Sequence, residues 1–136
     1  MVVFQKPEIT SITPNLKLHE FVKWGPVYEI SFDLLIEESK NSLYNSILTF
    51  TENVGQCCRL GDRIPGVYLR TDIEEFHIAT QIGADGNSFN DITKYDLNKW
   101  YHILIKQYQI DEKWVINFIY SDSELQIIFF SILRQV

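Results

Sequence analysis

The chain has 136 residues, 46% of them hydrophobic and 14% aromatic, and twelve basic against eighteen acidic residues give a net charge of −6. That is the size of one domain, residues 1–136, able to hold a core without disulfides or metals, and its composition is not that of a disordered chain. An acidic balance with Lys and Arg scattered singly argues against nucleic acid as a partner, and no segment has the apolar length of a membrane span.

In chain order, a short strand is expected near Val2–Gln5 and a second over Lys17–Trp24, closed by Gly25-Pro26. The clearest strand is Tyr28–Glu38, with Ile30, Phe32, Leu34 and Ile36 on one face and Glu29, Ser31, Asp33 and Leu35 on the other. Ser46–Glu52 alternates in the same way, and Asn53–Arg63, with Gly55 and Gly61, reads as an exposed loop. In Ile64–Arg70 the proline at 65 marks an edge, a strand start or a bulge. Phe76–Ile82 precedes the most polar loop of the chain, Gly83–Ser88. Trp100–Ile110 and Lys113–Tyr120 form a hairpin about Asp111-Glu112, and Leu125–Leu133 ends the series.

About nine strands at this spacing, with no comparable helical period, predict an antiparallel all-β sandwich or barrel. Its core should contain Ile30, Phe32, Leu34, Ile47, Ile103, Ile105, Ile116 and Phe118, with Trp100 and Trp114 as anchors. Leu125–Leu133 is apolar on both faces, so it is covered on both sides or lies at a partner interface, through which the chain would form an oligomer. Adjacent Cys57 and Cys58 are read as two free thiols, because neighbouring Cα atoms sit closer than an ordinary disulfide wants. The start, Met1 to Pro7, carries no secretory-signal pattern, which leaves a cytoplasmic chain and a mature or excised domain both open.

No catalytic motif stands out. Glu29, Asp33 and Glu37 share a strand face, but residues four apart lie about 13 Å from one another, beyond the roughly 5–9.5 Å of glycosidase carboxyl pairs. His19, His77 and His102 sit within predicted strands without a nucleophile motif beside them. Asp85, Asn87, Asn90 and Asp91 offer hard oxygen donors in a Gly-containing loop, the kind of set that takes Ca²⁺, although turn chemistry selects the same residues.

Four segments in order carry a resemblance: Tyr28-Glu29-Ile30-Ser31-Phe32-Asp33 after Trp24-Gly25, then Ser46-Ile47-Leu48-Thr49-Phe50-Thr51, then Arg63-Ile64-Pro65-Gly66-Val67-Tyr68-Leu69, then Lys99-Trp100-Tyr101-His102-Ile103-Leu104-Ile105. Together they resemble the concanavalin A-like lectin/glucanase superfamily, and within it laminin G-like and pentraxin-like domains. The resemblance covers roughly residues 17 to 120, and the segment after 120 departs from it. It implies a jelly-roll sandwich, an extracellular setting, a glycan or extracellular protein as partner, and Ca²⁺ on a rim of the sandwich.

The Glu-x-Asp-x-x-Glu strand of the related glucanases is absent, so no enzyme activity is expected, and a degenerate glycan hydrolase ranks below a lectin-like adhesion module. A structural subunit that assembles with protein partners is the alternative. A sugar site needs an exposed aromatic face beside hydrogen-bonding groups. Trp24, Arg63, Tyr68, Arg70 and His77 are the candidates.

Overall fold

The computed structural model describes residues 16–39, 42–52, 57–122 and 127–135. Among these, eight strands and no helix occur: β1 (Tyr28–Ile36), β2 (Tyr44–Thr49), β3 (Gly66–Arg70), β4 (Glu75–Ile82), β5 (Asp85–Lys94), β6 (Lys99–Ile110), β7 (Lys113–Asp122) and β8 (Ile127–Gln135). They form two four-stranded sheets, β1-β6-β7-β8 and β2-β3-β4-β5, antiparallel throughout. The chain changes sheet after β1 and again after β5, and each sheet otherwise runs as consecutive hairpins.

The alternation read from β1 fixes its inward face. Ile30, Phe32 and Leu34 lie opposite Ile105, Ile103 and Tyr101, and Ile105 and Ile103 in turn face Phe118 and Tyr120 on β7. The second sheet answers with Val67, Leu69, Phe76 and Ile78, so both sheets contribute to one core. Phe76, at 0% exposure, bridges the gap: its ring centroid lies 5.4 Å from Tyr101 and 5.8 Å from Phe118 on the opposite sheet. The architecture is therefore a β-sandwich. The β6–β7 hairpin turns on Asp111 (φ 46°) and Glu112 (φ 61°), the positive-φ pair of a type I′ turn built without glycine.

Several expectations need correction. Lys17–Trp24 is not a strand. Its aromatic residues pack along the chain, Phe21 at 5.1 Å from Trp24, and Trp24 stacks on Phe50 at 4.8 Å, so side-chain burial replaces ladder pairing. Gly83–Ser88 is not a loop: only Gly83 and Ala84 turn, and β5 begins at Asp85. Asp62 and Arg63 are buried, not part of an exposed loop. Trp114 is buried, but Trp100 is 42% exposed because it falls on the outward parity of β6. Phe32 and Ile47 are half-buried at the margin of the core. Cys57 and Cys58 are paired with each other and are not free thiols. His19 lies outside any strand. The expected strand at Val2–Gln5 and the side chains of Leu125–Leu133 lie outside the described residues.

Candidate functional site

On β3 and β4 the residues that alternate with the core row point outward, and the register gathers them. Tyr44 lies opposite Arg70, Tyr68 opposite His77, and His77 opposite Asp91. Tyr68, Arg70 and His77, three of the five candidates for a sugar site, thus come together on the outer face of the β2–β5 sheet, and a fourth, the buried Arg63, lies beside them with its guanidinium 6.0 Å from the Tyr68 ring. Asp91, expected as a metal ligand, joins them.

A chain of charged hydrogen bonds ties the face together. Arg70 donates to both carboxylate oxygens of Asp72 at 3.0 and 2.5 Å and to Asp91 Oδ2 at 2.9 Å. The other oxygen of Asp91 lies 2.8 Å from His77 Nδ1. The Arg70 hydrogen bonds hold the Asp72 carboxyl below the usual carboxylate range, and the same bonds, with the Asp91 charge, push Arg70 further up.

Around this chain stand aromatic rings. His77 is 4% exposed and lies 5.1 Å from Tyr44, 5.3 Å from Phe89 and 6.0 Å from Tyr68. The Arg70 guanidinium sits 5.7 Å from the centre of the Tyr44 ring. Tyr44 and Phe89 remain 43% and 49% exposed. The result is an aromatic shelf with fixed donors and acceptors at its centre.

Tyr44, Phe89 and Asp72 were not anticipated. Tyr44 begins a strand expected to start at Ser46, and Phe89 lies just past the supposed loop. Parity would have found both once the true strand limits were known: Tyr44 faces Arg70, and Phe89 faces Ala79, two residues from His77.

The segment from 57 to 63 closes one side of the face. Gly61 N–H donates to Gln81 Oε1 at 2.7 Å, and the buried Asp62 carboxylate accepts from Arg59 N–H at 3.0 Å. Arg63 bonds Asn87 Oδ1 and, at 3.0 Å, Cys58 Sγ, with Tyr68 6.0 Å away. At Gly86 the backbones nearly touch: an added Cβ would lie 2.8 Å from the Arg59 carbonyl carbon and from Leu60 N. Gly86→Ala is therefore expected to cost about 1–3 kcal/mol and to raise amide exchange in residues 57–63, read by urea unfolding and hydrogen exchange.

The expected Ca²⁺ donors do not converge. Asp91 is engaged by Arg70 and His77, Asp85 accepts the Asn87 N–H at 2.9 Å, Asn87 serves Arg63, and Asn90, between Phe89 and Asp91 on β5, has the opposite parity to both. Among the described residues no group of three or more His, Cys, Asp and Glu side chains is placed to hold a metal ion. β5 stands where the loop was expected, and it spreads these side chains along a strand. The strand carboxylates Glu29 and Asp33 sit on the other sheet, paired with Lys106 at 2.9 Å and His102 at 2.7 Å.

Trp24, the fifth candidate, lies elsewhere. It lines a cavity of about 300 Å³ at one end of the sandwich with Tyr28, Glu52, Thr80, Gln107 and Trp114. Burial drives the Tyr28 phenol well above its ordinary pKa of 10.0. A raised folded-state value means that the folded protein keeps a proton that the unfolded chain loses, so this contribution is complete below pH 10.0 and fades as pH rises past it. Alkaline unfolding should accordingly begin above pH 10, and Tyr28→Phe should flatten that slope; phenolate absorbance during titration checks it.

No protein-family model, curated protein or solved structure matches the chain.

Proposed function

We propose that the protein is a non-catalytic recognition module whose outer β2–β5 face binds glycan. The observation that carries this reading is the pair of exposed rings, Tyr44 and Phe89, flanking the Asp72–Arg70–Asp91–His77 chain. Exposed rings take the apolar face of a sugar, and charged groups already locked in place meet its hydroxyls with little ordering cost. The resemblance to concanavalin A-like and laminin G-like domains supports the same class and an extracellular setting. The jelly-roll form of the sandwich belongs to this reading too: β1 paired beside the distant β6 supports it, whereas the consecutive order of β2 to β5 supports a plainer meander.

A glycan array with and without Ca²⁺ tests the reading. Binding should survive chelation, because the Asp91 and Asn87 oxygens are engaged by protein donors. Arg70→Ala and Tyr44→Ala should each weaken it about tenfold or more with the circular dichroism spectrum unchanged. A silent array would favour the second reading, an assembly subunit, which rests on β8 forming an edge of its sheet. That protein would run as an oligomer at micromolar concentration.

A further inference from the structure

The segment from 57 to 63 carries chemistry that the outer face does not use. Cys57 and Cys58 are bonded to each other, and both residues are exposed, so a reagent or a partner thiol can reach them. Against Cys58 lies Arg63, which is only 7% exposed. Its Nη2 donates to Cys58 Sγ at 3.0 Å and to Asn87 Oδ1, the Tyr68 ring stands 6.0 Å from its Cζ, and its buried Nε has no partner. None of these partners, among the described residues, is an anion.

A guanidinium keeps its proton under all ordinary conditions, so a full positive charge is buried against a neutral sulfur. Such burial is costly without a counter-charge. The neighbouring carboxylates are engaged elsewhere. Asp62, completely buried, accepts from Arg59 N–H at 3.0 Å with Arg59 Nε 3.5 Å away, and Asp85 on β5 accepts the Asn87 N–H. The group placed to supply the missing charge is Cys58 itself, as a thiolate, once the bond is opened. The Arg59 and Leu60 backbone packed on Gly86 and the Gly61–Gln81 hydrogen bond hold the segment to the sheet, so Arg63 stays beside that sulfur.

We infer that Cys57–Cys58 is a thiol–disulfide exchange site for a dithiol reductant, with Cys58 as the leaving sulfur and, once released, the reactive one. The Arg63 contact is to Cys58 and not to Cys57, and the better-stabilised thiolate leaves faster. A thiolate of the dithiol attacks Cys57 Sγ, the Cys57–Cys58 bond breaks, and Cys58 departs with the electron pair toward Arg63. The second thiolate of the dithiol then attacks its own sulfur in the mixed disulfide and releases Cys57. The dithiol loses two electrons and becomes a disulfide; the protein gains them. Of the two protons, one ends on Cys57 and the other goes to solvent. The site is separate from the outer face and does not depend on glycan binding.

The test uses the full chain. Air-oxidised protein should show no thiol toward dithiobisnitrobenzoate and two after dithiothreitol. With the dithiol removed, iodoacetamide at about pH 6.5, roughly two units below the ordinary thiol pKa of about 8.5, should label Cys58 about tenfold faster than Cys57, read by peptide mass mapping. The same ratio should separate the lone Cys58 of Cys57→Ser from the lone Cys57 of Cys58→Ser, and Arg63→Gln should abolish it. Should Arg63→Gln not fold, the two single-cysteine proteins decide alone, because both keep Arg63. Equal labelling of those two proteins, a folded Arg63→Gln with the preference intact, or thiols that stay free under excess oxidant would each overturn the inference.

Discussion

Phe76→Ala is expected to lower the free energy of unfolding by about 3–5 kcal/mol, the largest loss of any single core truncation here. Phe76 is fully buried, and it touches Tyr101, Phe118 and Tyr120 on the facing sheet as well as Tyr95. Removing it opens a void at the centre of the sandwich, where two sheets held about 10 Å apart cannot close over it. Against a typical stability of roughly 5–15 kcal/mol, the variant should sit near its folding threshold. Urea unfolding should show a lower midpoint at unchanged slope. Phe76→Leu, which refills most of the volume, should recover much of the loss. A Phe76→Ala protein as stable as wild type would mean that the sheets do not face each other through this ring.

Gln107→Leu should cost about 2–6 kcal/mol, from two backbone carbonyls orphaned at roughly 1–3 kcal/mol each. The side chain is almost completely buried and its amide satisfies Pro26 O and Gln81 O. The Tyr28 and Thr80 hydroxyls, already 2.9 Å apart, can fall back on each other, which is why the estimate counts only the carbonyls. Gln107→Glu supplies a sign test. A buried carboxylate facing those carbonyls has a raised pKa, so the variant should gain stability as pH falls and lose it as pH rises through that value. Chemical denaturation at several pH values reads both effects. If Gln107→Glu were most stable at neutral pH, the amide would not be oriented as described.

Much of the sandwich was legible because alternation is a local property. Ile30, Leu34, Ile103, Ile105, Ile116 and Phe118 are buried as the pattern predicts, since side chains on a strand must alternate whatever the strand pairs with. The site was legible only in part, for a related reason. Tyr68, Arg70 and His77 stood on predicted strands and Arg63 at the end of a predicted loop; Tyr68, Arg70 and His77 meet on one face, with Arg63 beside Tyr68. Tyr44 and Phe89 were missed because β2 begins two residues before the expected start at Ser46 and β5 begins at Asp85, inside the stretch expected as the Gly83–Ser88 loop. Asp91 was read as a calcium ligand because Asp, Asn and Gly crowd that stretch, yet a type of residue that suits a turn also suits an edge-strand charge pair.

By itself, the order of apolar and polar residues determined that this chain makes antiparallel strands with one face toward a core, and where its tight β6–β7 turn falls. Tertiary structure alone decided which strand joins which sheet. β1 pairs with β6 and not with β2, because the gain from matching two apolar faces outweighs the slowly growing entropy of closing the long intervening segment. It also decided that β4 is buried on both sides. His77 and Ala79 point away from the core, yet Tyr44, Tyr68 and Phe89 cover His77, and Tyr68 lies across Gly66, the partner of Ala79. Nothing local to β4 encodes that cover. It exists only once the neighbouring strands are in register.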